Sequence, residues 1–134
     1  MANIDEALYT YLTNHVGLKA LVSTRVYPEE APQSAALPHV VILKISDVKD
    51  HFLSGISTLE RPIYQFSAIA TTKAVAKQVA AQLKSALSDY HGTLSGNTVQ
   101  WVSLMNEFSS MEKSPDGTLR IYFEDLEFEI YLGG

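Results

Sequence analysis

His15, His39, His51 and His91 are the side chains of this sequence best suited to bind a transition metal or to move a proton near neutral pH. None stands in a His-x3-His or His-Glu-x2-His pattern, the spacings that set two imidazoles on one helix face around zinc. Asp47, Asp50 and His51 mix oxygen and nitrogen donors within a short span, but in a polar stretch where hydration alone accounts for such residues. Ser54-Gly55 lacks the glycine two positions before the serine that a nucleophile elbow requires. No glycine-rich loop ending in Lys-Ser or Lys-Thr offers a phosphate cradle. Glu124, Asp125, Glu127 and Glu129 are close in sequence, yet strand neighbours one apart face opposite ways and those two apart form a solvated stripe, not a proton-sharing pair. With no cysteine there is no thiolate ligand and no disulfide framework. The residues therefore assign no catalytic group, no metal site and no cofactor, and the expectation is a protein that is not an enzyme.

Size and charge narrow the choice further. A chain of 134 residues is expected to form one domain, 1–134, with a real core, since 46% of it is hydrophobic and 19% charged. A net charge of −5 gives no electrostatic reason to approach phosphates, so nucleic-acid recognition is not expected. The amino-terminal residues lack the basic start and apolar run of a signal peptide, and no apolar stretch reaches membrane-spanning length, so a cytoplasmic protein without a membrane partner is expected.

Periodicity supplies the elements that position these residues. Asn3 with Glu6 three residues later reads as a helix cap, and Ile4, Ala7, Leu8, Tyr11 and Leu12 then repeat at three and four, so a helix is expected until Asn14 and Gly17 end it. Residues 18–22 can add a short turn, and 23–38, with Pro28, Pro32 and Pro38, read as an extended connector. Residues 40–45 are almost wholly apolar and β-branched, which predicts a central strand buried on both faces. A long hairpin loop, 47–60, separates it from a strand at 63–70 with Tyr64, Phe66 and Ala68 on one side. Residues 72–87, capped by Thr71 or Thr72, form the clearest helix, its apolar face made by Val75, Ala76, Val79, Ala80, Leu83, Ala86 and Leu87. Gly92 and Gly96 mark a loop, and a third strand at 99–105 is expected to bury Trp101 as its largest packing contribution. Ser114-Pro115-Asp116-Gly117 is a turn by chemistry, and 119–132 supplies the returning strand, with Leu126, Phe128 and Ile130 inward and Asp125, Glu127 and Glu129 outward. The sum is an α+β domain, mainly an antiparallel sheet of about four strands packed against helices, without internal repeats.

Several local phrases, in order, resemble the tail completion, or tail-to-head joining, proteins of long-tailed bacteriophages and prophages. They begin with Asp5-Glu6-Ala7-Leu8-Tyr9 and continue through Leu18-Lys19-Ala20-Leu21-Val22 to Arg25-Val26-Tyr27-Pro28. Ala31-Pro32-Gln33 and then Ala36-Leu37-Pro38-His39-Val40-Val41 look like the family's proline-bounded approach to its first long strand, and Tyr64-Gln65-Phe66-Ser67-Ala68 follows in step. Ile69-Ala70 departs from a Trp-Ala pair common there. The resemblance implies a small tail terminator-like protein that caps the tail tube as a homo-oligomeric ring, commonly of six subunits. It also implies contact with the tail tube protein and the head connector protein, in the virion tail and, during assembly, in the bacterial cytoplasm.

Within that expectation the 47–60 loop is the candidate interaction arm, because Phe52, Leu53 and Ile56 are apolar without a core periodicity; a loop with no such role fits the same residues. A small-molecule-binding α+β domain is the reading from another class, and it requires a pocket lined by apolar residues with converging polar groups.

Overall fold

The computed structural model describes residues 4–29, 31, 36–49, 60–113 and 116–133, with backbone only at 47–49. Among these residues, three helices, α1 (Ile4–Thr13), α2 (Val16–Val22) and α3 (Lys73–Leu87), accompany six strands. The strands are β1 (Val26–Pro28), β2 (His39–Lys49), β3 (Glu60–Ala70), β4 (Gly92–Leu94), β5 (Asn97–Lys113) and β6 (Arg120–Leu132). They form one sheet in the order β1-β2-β3-β6-β5-β4, antiparallel throughout except where β1 runs parallel to β2.

The α+β class is as the sequence predicts, but the sheet has six strands rather than about four, and it is mixed. The two extra strands are three residues long, too short for any period to show. β1 lies inside the stretch expected to be a connector, where Val26 pairs with Val40. β4 lies between the two loop glycines, and the tight turn after it places Ser95 and Gly96 at positive φ. The expected 47–60 loop is shorter than its residues suggested: the β2–β3 ladder still pairs Lys49 with Glu60. The cap at Asn3 lies outside the described residues, whereas Thr72 caps α3 by accepting from Val75 N at 3.2 Å.

One core holds these elements together. Alternation along the strands sends Val40 and Ile42, Tyr64 and Phe66, and Leu126, Phe128 and Ile130 to the same side of the sheet. There they meet Ala7, Leu8 and Leu12 of α1, Leu18 and Val22 of α2, and Val79, Leu83 and Leu87 of α3. Each fully buried Leu or Phe contributes about 1.5–3 kcal/mol, and the edge-to-face contact of Phe66 with Phe128, 5.7 Å between centroids, adds geometric preference. Polar ties fix the helices at their ends. The Tyr11 hydroxyl donates to Ala86 O at 2.7 Å, joining α1 to α3, and the Tyr64 hydroxyl donates to the Asp5 carboxylate.

Among the described residues, the helical layer covers only this face. β2 is therefore not buried on both sides: Val40 and Ile42 are in the core, while Leu43 and Ile45 are 42% and 45% exposed. Trp101 is likewise 45% exposed, against the expectation that it would be a core residue. It stacks on Tyr131 at 5.4 Å, and its indole N–H donates to Asp89 at 2.9 Å.

Candidate functional site

The groups that could do chemistry are dispersed or already engaged. His15 caps α2, its Nδ1 accepting from Leu18 N at 3.3 Å. His39 is buried edge-on to Tyr27, with Nδ1 3.1 Å from Ala36 O. Burial holds its pKa below the usual histidine value, with the nearby Arg25 charge acting the same way and the Ala36 contact opposing it. His91 is exposed. Asp50 and His51 lie outside the described residues, as do Phe52, Leu53 and Ile56 of the candidate contact loop. Among the described residues, no three His, Asp or Glu side chains gather into a group that could hold a metal ion. No described helix is long and apolar enough to cross a membrane.

The carboxylates of β6 do not form one uniformly solvated stripe. Glu127 and Glu129 are partly exposed, whereas Asp125 is only 9% exposed and its Oδ1 has no hydrogen-bond partner. Burial raises its pKa above the usual carboxylate range; a Ser67 hydrogen bond opposes that shift and the Glu124 charge reinforces it. Asp125 sits between Ser67 of β3 and Phe108 of β5 on the sheet face that carries no helix. Glu124 points to the helical side and accepts from the Ser109 hydroxyl at 2.6 Å.

That open face and the strand edges beside it are the most conspicuous surface of the molecule. Of ten exposed large hydrophobic side chains among the described residues, seven lie on β2 and β5, and Met105, Phe108 and Met111 belong to a part of β5 with no buried residue at all. Sequence reasoning missed this, because it ended the strand near residue 105. Phe108 and Met111 are three residues apart and show no period of two, so the only signal for a longer strand was the Asp116-Gly117 turn that ends it. In that turn the Asp116 carboxylate accepts from Thr118 N at 3.0 Å, and Gly117 has φ +74°.

Cavities offer less. One groove of about 540 Å³ runs between α1, α2 and β4 past Tyr11 and His15, and another of about 520 Å³ runs between α1 and β1 past Tyr9 and Tyr27. Both are open to solvent, not the enclosed apolar site that small-molecule binding requires.

Comparison with known proteins gives the surface a context. No curated protein matches the sequence. A chain from the virion of a native gene transfer agent particle has the same fold, with a TM-score of 0.74 and 21% identity, over 98% of this chain and 95% of that one. A second solved chain matches at a TM-score of 0.54 and 13% identity, over 93% of this chain and 94% of its own length. The model of the family "Tail completion protein gp17" matches residues 6–130, nearly the whole domain. The chain belongs to the gp17 family of tail completion proteins.

Proposed function

We propose that this protein caps the tail tube of a long-tailed phage or prophage as a ring of identical copies, commonly six, and offers that ring to the head connector. The observation that carries the reading is the family match over residues 6–130. The similar chain from a gene transfer agent virion supports it, since that chain too is part of an assembled particle. The surface fits the role: among the described residues, a sheet face without helices and exposed apolar residues along two strands suit contact with other subunits. The partners are further copies of the chain, the tail tube protein and the connector protein, in the virion tail and in the host cytoplasm while it assembles. The protein works by binding and catalyses no reaction.

The experiment is deletion of the protein from a productive phage, with electron microscopy of the lysate. Filled heads and finished tails that fail to join are expected, with host metabolism unaffected. Ordinary complete virions would overturn the reading.

A further inference from the structure

Among the described residues, the sheet leaves two backbone edges open, at diagonally opposite corners. β5 pairs with β6 as far as Lys113, but β4 covers its other side only at 97–99. Beyond that, Asp89 N reaches Val102 O at 2.9 Å, and from residue 104 to 113 every residue is exposed, with no strand outside it among the described residues. At the other end of the sheet, β1 covers β2 only at 40–42 and Glu29 N reaches Ile42 O at 2.7 Å. From residue 43 to 49, β2 pairs with β3 alone among the described strands. A strand edge of this kind presents a row of N–H and C=O groups at the spacing another strand needs.

The two edges are complementary in direction. Three successive antiparallel pairings, β2 with β3, β3 with β6 and β6 with β5, make β5 run opposite to β2. A second copy set beside the first in the same orientation therefore brings its β2 antiparallel to the first copy's β5, the favoured ladder. Glu107 of β5 is ion-paired with Lys84 of α3 at 3.0 Å, so strand direction rather than charge selects the partner edge. The bulges near residues 105 and 45 fall at the start of each free stretch and leave 106–113 and 46–49 regular.

We infer that β5 of one copy pairs antiparallel with β2 of a second copy, so that the sheet continues from subunit to subunit. This rests on the ring reading and specifies which edges meet. The two edges are different surfaces, so the contact is head-to-tail and generates a ring where the rotation closes. Face and register choose the partners. Ser110 lies on the open face opposite Phe123, and Ser46 lies on it opposite Ile63. Setting Ser110 against Ser46 keeps both side chains on the open face and overlaps the regular stretches of the two strands. Pairing β5 with β5 across a two-fold axis instead leaves the β2 edges of both copies without a partner strand among the described residues.

The absence of native cysteine makes the test direct. S46C and S110C are made as separate full-length proteins at exposed positions and mixed under mild oxidation, alone and with tail tubes, after circular dichroism has shown native folding. Opposed residues in an antiparallel pair have Cα atoms roughly 4.5–5.5 Å apart, within disulfide range. A cross-linked dimer is expected from the mixture and from neither protein alone, and the double variant S46C/S110C should yield a ladder ending in a covalent ring. F108C and E112C, on the same face, sample the neighbouring registers. Rings seen by microscopy with no cross-link from S46C to any of the three would overturn the edge pairing and leave the ring reading standing. Dimers from S110C alone would overturn it in favour of the two-fold contact. Strict monomers with and without tubes would overturn both.

Discussion

Asp125 is the residue whose placement is hardest to reconcile with stability alone. Its carboxylate is nearly buried, Oδ1 is unpartnered, and the flanking cross-strand positions are Ser67 and Phe108. Burying a charge that is not fully paired costs free energy, and here the cost appears as a carboxyl pKa raised by desolvation. For a carboxyl with a raised folded-state pKa, the linked stability is fully present below the unfolded value and is lost as pH rises through the folded one. Asp125→Asn is therefore expected to raise the denaturation midpoint at pH 7. The gain should disappear below roughly pH 4, where the unfolded carboxyl is itself protonated. Urea titrations of both proteins at pH 7 and pH 3.5 read this directly, and an equal difference at the two pH values would show that ionisation is not the cause. Trp101 gives a contrast of another kind. Half-exposed and held by Tyr131 and Asp89, it is expected to cost under about 2 kcal/mol as Trp101→Ala, less than the ~3–5 kcal/mol of a core aromatic such as Phe128→Ala. Thermal melts of the two variants rank them.

At the scale of elements, α3 and the β3–β6 pair carry the core. Leu83 is fully buried among residues that include Phe66 and Phe128, so Leu83→Ala should cost about 2–5 kcal/mol by chemical denaturation. A loss below roughly 0.5 kcal/mol, the range of an ordinary surface change, would mean that α3 does not dock where it is drawn. These elements were also the legible ones. The three-and-four spacing from Val75 to Leu87 and the alternation of Leu126, Phe128 and Ile130 each state a face, and the structure buries both. What was not legible depends on tertiary placement. The apolar run from Val40 to Ile45 looks the same whether helices cover one face or two, and the strand's own residues do not say how many layers the domain has. Trp101 misled for the same reason, since its size argues for burial wherever a second layer exists. β1 and β4 have three residues each and owe their strand geometry to β2 and β5 rather than to any pattern of their own. The candidate surface followed suit: the absence of a catalytic motif could be read directly, but the exposed half of β5 became visible only with its length.

For the whole molecule, the sheet directions set which ends are available to which partner. β3 pairs Glu60 with Leu132 at one end and Ala70 with Tyr122 at the other. The β2–β3 connection therefore leaves the sheet at one end and the β5–β6 connection, between Lys113 and Arg120, at the opposite end. In the proposed ring built by edge-to-edge contact, the sheets would continue around the circumference with Lys49 and Glu60 at one rim and Lys113 and Arg120 at the other. The β2–β3 connection carries Phe52, Leu53 and Ile56, and apolar anchors usually dominate the energy of an interface. Replacing all three by serine should thus abolish joining in infected cells while leaving the purified protein's melting temperature within a few degrees of the parent, about the shift of a surface change in a domain this size. The β2–β5 cross-link should persist in that variant, because neither edge is touched. Microscopy of the lysate, melting and cross-linking together separate three properties: joining, folding and ring contact. Complete virions from the triple variant would remove the loop from the interface, whereas loss of both joining and cross-link with folding intact would place those three residues in the contact between copies instead.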